Sequence, residues 1–279
     1  MLTQTLLNHE QAIRLAAFVA MLVAMAAWEI LAPRRALAVP KAKRWANNLA
    51  LLLINSILVR VLFPAAAIGF AVFAESRSMG LFHMVYLSQP LAIVLSVVVM
   101  DFAIYLQHIV FHAVPVLWQL HRVHHADLDF DVTTGTRFHP IEIVLSMGIK
   151  FLVIITLGPP VVSVLIFELL LNVTAMFNHA NIRLPDRIDG LVRRLVVTPD
   201  MHRIHHSVDR GETNSNFGFC LSVWDRSLGT YLATPRLGHI AMQIGVAALR
   251  DPNRVITVKG MLALPFIFDK PAALASSTS

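Results

Sequence analysis

Residues 100–125 read MDFAIYLQHIVFHAVPVLWQLHRVHH, and this stretch decides the fold. Its first half is an apolar run carrying Asp101, Tyr105, His108 and His112 at steps of four, three and four, which places them on one face of a helix. Pro115 ends that helix, and an H-x-x-H-H group follows at His121, His124 and His125. An apolar helix that ends in imidazoles, with more imidazoles directly behind it, predicts a membrane protein with a metal-binding cap at one membrane face.

Working outward, the run begins near Leu91, and the other apolar stretches reach the roughly 20 residues that a crossing needs. Residues 13–31, flanked by His9, Glu10 and Arg14 and lacking a small-residue cleavage site, are read as a retained span. Residues 46–74 are interrupted by Arg60 and Pro64, so a tilted or kinked crossing is expected. Residues 141–176 break at Gly158-Pro159-Pro160, as two helices joined by a tight turn would. The expected fold class is all-α, an integral membrane protein with about five membrane-embedded helices.

Composition points the same way. Of 279 residues, 56% are hydrophobic and 14% charged, with a mean hydropathy of +0.65; soluble chains average about 25% charged. The net charge of +6 is explained by basic loops held in the cytoplasm, and no nucleic-acid partner is expected. Arg34, Arg35, Lys41, Lys43 and Arg44 crowd residues 32–45, whereas residues 75–90 hold only Arg77 as a basic residue. Threading the spans from a cytoplasmic 32–45 loop brings every histidine cluster to the cytoplasmic face. After Asn181 the chain becomes a mixed polar cap. Within it, residues 240–249 are mildly amphipathic and predict a helix at the interface or one packed inside, and the tail 272–279 is expected to be disordered.

Nine of the thirteen histidines fall into the pattern. His108 and His112 form H-x-x-x-H, His121, His124 and His125 form H-x-x-H-H, and His202, His205 and His206 repeat it, with His179 between. Each cluster is expected to aim two or three imidazoles at one point. His9 and His83 fall on the other face and read as structural. One metal takes four to six ligands, so nine imidazoles imply two metals, with zinc, copper, iron and nickel all compatible. The single cysteine, Cys220, excludes a disulfide framework or a cysteine-ligated cluster. No glutamate follows the first histidine of any pair, which weakens a metalloprotease-type hydrolase. Asp127, Asp129, Asp131, Asp200 and Asp209 flank the clusters, either orienting ligands or capping helices. Arg60 and Lys150 lie inside spans, where a charge costs at least about 2.5 kcal/mol, so each should find a partner, Asp101 being the obvious candidate for one.

The order of these clusters, with Arg137-Phe138-His139-Pro140, Asn178-His179-Ala180-Asn181, Thr198-Pro199-Asp200-Met201-His202, Asn214-Ser215-Asn216-Phe217-Gly218 and Trp224-Asp225-Arg226, resembles the fatty acid hydroxylase and sterol desaturase superfamily. The resemblance implies a non-haem diiron enzyme that uses O2 to oxidise a C–H bond of a lipid drawn from the bilayer. It implies two iron ions held by His108, His112, His121, His124, His125, His179, His202, His205 and His206, with His139 as ligand, supporting residue or structural cap. Asp101, Tyr105, Asp200 and Asn178 are candidates for the surrounding shell. The chain departs from many relatives in carrying Ile109 after the first histidine and Ala175 four residues before His179. On this reading, residues 1–90 form an N-terminal transmembrane region, 91–231 the catalytic domain and 232–279 a C-terminal cytoplasmic segment. The electron donor is expected to be external, a ferredoxin or a cytochrome with its reductase. Desaturation is the close rival outcome, and a metal transporter is the rival from another class.

Overall fold

The computed structural model describes residues 2–267 and is all-helical; among the described residues no strand forms, only isolated bridges such as Pro33–Ile182 and Ser207–Ile244. A short α1 (Leu2–Asn8) leads into α2 (Glu10–Leu31), followed by α3 (Lys41–Leu62), α4 (Ala66–Ser76), α5 (Gln89–Ala113), α6 (Pro115–His125), α7 (Pro140–Leu157) and α8 (Val161–Asn178). The cap adds α9 (Asp186–Val192), α10 (Pro199–His205) and shorter helical turns. Five segments are long and apolar enough to cross a membrane: Glu10–Leu31, Lys41–His83, Gln89–Ala113, Pro140–Leu157 and Val161–Asn178.

The interrupted second stretch breaks into two helices. α3 stops at Leu62, and the chain turns through Pro64 to Ala66, the first residue of α4, at φ +48°. The loop after α4 then packs on the α7–α8 turn. Gly158 caps α7 at φ +63°, and a Cβ there would lie 2.2 Å from the Met79 carbonyl oxygen, so backbone approaches backbone where only glycine fits. This contact puts the far ends of α4, α7 and α8 together, opposite the histidines.

α8 is the central helix. Over half of its window, 56%, is buried, against 11% for α2, whose Leu15, Val19, Val23 and Ile30 are exposed as a lipid-facing surface requires. Lys150 and Arg60 each find a partner, though not the one expected. Lys150 meets Glu168 at 2.7 Å, Arg14 meets the same carboxylate at 2.8 Å, and Arg60 reaches Gln11. Asp101 partners neither cation.

The cap is bolted to α3 by charge. Arg44 is fully buried and donates to Asp127 at 2.7 and 2.8 Å and to Asp131 at 2.6 Å. Burial alone would raise the Asp127 carboxyl, but Arg44 and Arg137 hold it well below the usual carboxylate range. Residues 240–249 do not form the amphipathic helix expected of them. Only Gly238–Ala241 is helical; Gly245, at φ +113°, stops any continuation, and Met242, Ile244 and Leu249 are buried in the cap. The expected disordered tail, 272–279, lies outside the described residues.

Candidate metal centre

Four elements deliver the imidazoles: α5 carries His108 and His112, α6 carries His121, His124 and His125, the C-terminus of α8 presents His179, and α10 with its cap presents His202, His205 and His206. They converge as two groups. His108, His112, His121, His125 and His205 form one, and His124, His179, His202 and His206 the other, with one ligand atom from each residue lying within 4.8 Å of the rest of its group.

This arrangement agrees with two, not three, imidazoles of each H-x-x-H-H cluster aiming at one point, the third serving the other group. Consecutive helical residues project about 100° apart, so neighbours such as His124 and His125 diverge. His121 and His125, four apart, serve the five-histidine group while His124 serves the other; His202 and His206, four apart, serve the four-histidine group while His205 crosses over. Each motif therefore feeds both groups and fixes their separation.

Ring orientation is set from behind. Nδ1 of His108 lies 2.8 Å from the Phe217 carbonyl, Nδ1 of His205 lies 2.8 Å from the Ser215 carbonyl, and Nδ1 of His179 lies 2.7 Å from the Ala175 carbonyl. A carbonyl only accepts, so each of these nitrogens carries the proton, and in the neutral ring Nε2 presents a lone pair. The Nε2 atoms then face one another: His108 to His205 at 2.9 Å, His112 to His125 at 3.1 Å, His124 to His179 at 3.1 Å and His179 to His202 at 3.0 Å. Two ligand nitrogens about 2.1 Å from one ion sit about 3.0 Å apart at a right angle and about 3.4 Å apart at the tetrahedral angle. Separations of this size fit nitrogens that share an ion. Nε2 of His121 and of His206 are buried with no hydrogen-bond partner among the described residues, which costs about 1–3 kcal/mol each unless a cation fills the space. The donor set thus fits imidazole-binding transition metals.

Burial, and after it the neighbouring imidazoles, hold His124, His125, His202, His205 and His206 well below the usual histidine range. His179 is lowered to about 4, chiefly by burial. Neutral rings are the ones that ligate metals.

The structure does not bring the other candidates to the histidines. His139 caps α7, its Nδ1 accepting from the Ile141 amide while Nε2 lies 3.3 Å from the Leu262 carbonyl. Asp101 accepts from the Cys220 and Leu221 amides and the Trp224 indole, and Tyr105 shares a hydrogen bond with Thr230, so both hold the 217–231 segment instead of lining an approach to the site. Asn178 donates to the Phe219 carbonyl, and Asp200 binds Arg34 and Arg203. Asp129 caps the backbone of Ala38 and Val39, and Asp209 caps a helical turn. The carboxylate that does reach a ring was missed: Glu142 Oε1 lies 2.6 Å from His121 Nδ1. Its only trace in the sequence is an acid in the first turn of an apolar span, where a charge needs a reason.

Beside both groups a cavity of about 190 Å³ opens between α5, α7 and α8. His108, His121, His124 and His202 form its histidine end, Ile104, Ile143, Met147 and Leu171 much of its wall, and Lys150 its other end.

These features define a polytopic helical protein with paired histidine groups at one end of its helices. The fatty acid hydroxylase family model matches residues 93–230, so the stretch that carries all nine clustered histidines is a fatty acid hydroxylase domain. It is similar to ornithine lipid hydroxylase OlsE of Rhizobium tropici, 31% identical over 52% of this chain and 43% of that one. It is also similar to the alkylglycerol monooxygenases of Xenopus tropicalis (29% identical, 47% of this chain and 28% of that one) and Homo sapiens (28% identical, 48% and 29%). The chain therefore matches less than half the length of each of these relatives. No solved structure matches it.

Proposed function

We propose that the chain is an O2-dependent oxidoreductase of membranes that hydroxylates a C–H bond of a lipid, with two iron ions in its histidine groups. The observation that carries this reading is the His108–His205 pair: both rings are committed at Nδ1 to carbonyls, and their Nε2 lone pairs meet at 2.9 Å, a repulsive arrangement that a shared cation reverses. The kinship to lipid hydroxylases favours hydroxylation over desaturation. Histidines gathered at one end of the helices, not strung along them, favour an oxygenase over a transporter.

An iron pair, when bound, supplies O2 activation and the oxidising equivalents for C–H cleavage. The chain's own residues do the rest. Phe217, Ser215 and Ala175 carbonyls and the Glu142 carboxylate orient the rings. Ile104, Phe111, Phe138, Met147 and Phe219 line an apolar cavity that excludes water and holds the lipid carbon beside the histidine end. The cavity lies among membrane-spanning helices, which supports entry from the bilayer. The basic 32–45 loop touches the cap through Arg34–Asp200 and Arg44–Asp127, which supports a cytoplasmic site, and the basic cap surface suits an external acidic donor, a ferredoxin or a cytochrome with its reductase. Residues 91–231 would then be the catalytic domain, flanked by the 1–90 transmembrane region and the 232–279 segment.

Metal analysis of purified protein together with donor-dependent oxygen uptake on membranes tests the reading. Two irons per chain and a membrane lipid gaining one oxygen in mass are expected; metal flux without oxygen consumption would defeat it.

A further inference from the structure

The cavity wall carries a polar rung that the chemistry of the histidines does not use. Gln107 on α5 donates through Nε2 to Ser146 Oγ on α7 at 2.8 Å, and both side chains line the cavity. Hydrogen-bonding capacity remains on both side chains after this contact. Gln107 Oε1 is buried and has no hydrogen-bond partner among the described residues. The Ser146 hydroxyl proton also finds no acceptor among them. That is unusual for a serine within a helix, which commonly bonds back to the carbonyl four residues earlier, as Ser56 and Ser96 do here at 2.8 and 2.6 Å. In a membrane-embedded wall, an unused acceptor beside an unused donor is costly.

Position adds meaning to this pair. Ser146 is one turn beyond Glu142 on α7, about 6 Å along the helix axis, and Glu142 supports His121. The cavity's remaining charge is already neutralised, since Lys150 pairs with Glu168, which also takes Arg14, itself beside Glu10. A cavity of about 190 Å³ lies below the roughly 300–1,000 Å³ of sites that enclose drug-sized ligands, so it takes one alkyl segment and not a fused ring system. In mostly apolar sites the few polar groups fix the ligand's orientation.

We infer that Gln107 and Ser146 read a group on the lipid chain that both donates and accepts a hydrogen bond, a secondary amide or a hydroxyl, and so set which carbon lies beside the histidines. The inference rests on the lipid-oxidation reading above for its biological meaning, but neither side chain bonds to a histidine, so the two can fail separately. An extended chain advances about 1.2 Å per bond, taking about 3.6 Å for the three bonds of one residue. At that advance, the roughly 6 Å of helix axis between Ser146 and Glu142 spans about five bonds of an extended lipid chain.

The test is binding to the full chain in detergent micelles, read by displacement of a fluorescent alkyl probe. Two matched pairs are compared: N-methyldodecanamide against methyl dodecanoate, and dodecanol against its methyl ether. Dodecane serves as control. In the wild-type protein the N–H or O–H member of at least one pair should bind about tenfold tighter, because the analogue leaves buried polar groups unpaired; the pair that responds identifies amide or hydroxyl. Gln107→Leu should erase the preference and Ser146→Ala should reduce it, with dodecane affinity unchanged in both as the sign of an intact cavity. Equal binding within both pairs, or a preference that persists in Gln107→Leu, overturns the inference. Should Gln107→Leu also lose dodecane binding, the Ser146→Ala result decides, and an undiminished preference there counts against the inference. Iron content of the same preparations reports separately on the reading of the histidine groups.

Discussion

The two histidine groups are built from the same motifs but held in different ways. In the five-histidine group, His108, His205 and His121 are clamped at Nδ1 by two carbonyls and a carboxylate, and His112 is the one half-buried member. In the four-histidine group only His179 is clamped, and Nδ1 of His124, His202 and His206 has no hydrogen-bond partner among the described residues. Aromatic rings take over there: Phe138 stacks on His124 at 4.4 Å, and Phe130 packs on His179 and His206. The five-histidine group is thus oriented by hydrogen bonds as well as by the Phe217 and Trp118 rings, and the four-histidine group chiefly by packing. A carbonyl fixes tautomer and angle together, whereas a ring contact fixes angle alone.

The sharpest way to break this comparison is to delete one ligand from each group. His205→Ala and His206→Ala should each lower metal content from two per chain to about one and abolish turnover, because each leaves one group short of a ligand. Full occupancy in either variant, measured by metal analysis, would remove that residue from the centre. A smaller effect separates the two ways of holding a ring. Glu142→Ala should weaken the five-histidine group by about 10- to 100-fold in metal affinity or activity. Phe138→Leu should weaken the other by only about two- to twelvefold, the equivalent of a ring contact of about 0.5–1.5 kcal/mol. Metal titrations that ranked the two variants in the opposite order would show that packing, not hydrogen bonding, orients these rings.

The mildest effect is expected from pH in the metal-free chain. The ordinary histidine value is 6.5, and burial lowers His179 to about 4 in the fold. Between these values the unfolded chain takes up protons that the folded chain refuses. Stability is therefore complete above pH 6.5, falls as the pH drops, and the loss from this group levels off below about 4. Thermal melts in detergent should show that slope, and added metal should displace it to lower pH by competing with protons.

Much of this architecture was legible in the sequence because hydropathy and helical period are local. The span ending at His112, the break at Gly158, the kink at Pro64 and the three histidine clusters need only chain-neighbour information. Other features are not local. Asp101 shares a helical face with His108, yet it accepts from Cys220 and Trp224 more than a hundred residues away. The five aspartates that flank the clusters in sequence turn to arginines, backbone amides or helix caps, while Glu142, separated from His121 by a loop, meets it in space. Lys150 finds Glu168 because α7 and α8 fold back on one another.

The amino-acid order by itself determined that helices cross a membrane and that imidazoles emerge at their ends, since a run of apolar residues partitions into lipid whatever its neighbours and residues three or four apart share a helical face. Only the tertiary structure decided which imidazole joins which group, which acid supports which ring and what lines the cavity. Those choices depend on how four elements distant along the chain are rotated about their axes when they pack, and a helix carries no record of that rotation until its neighbours are in place.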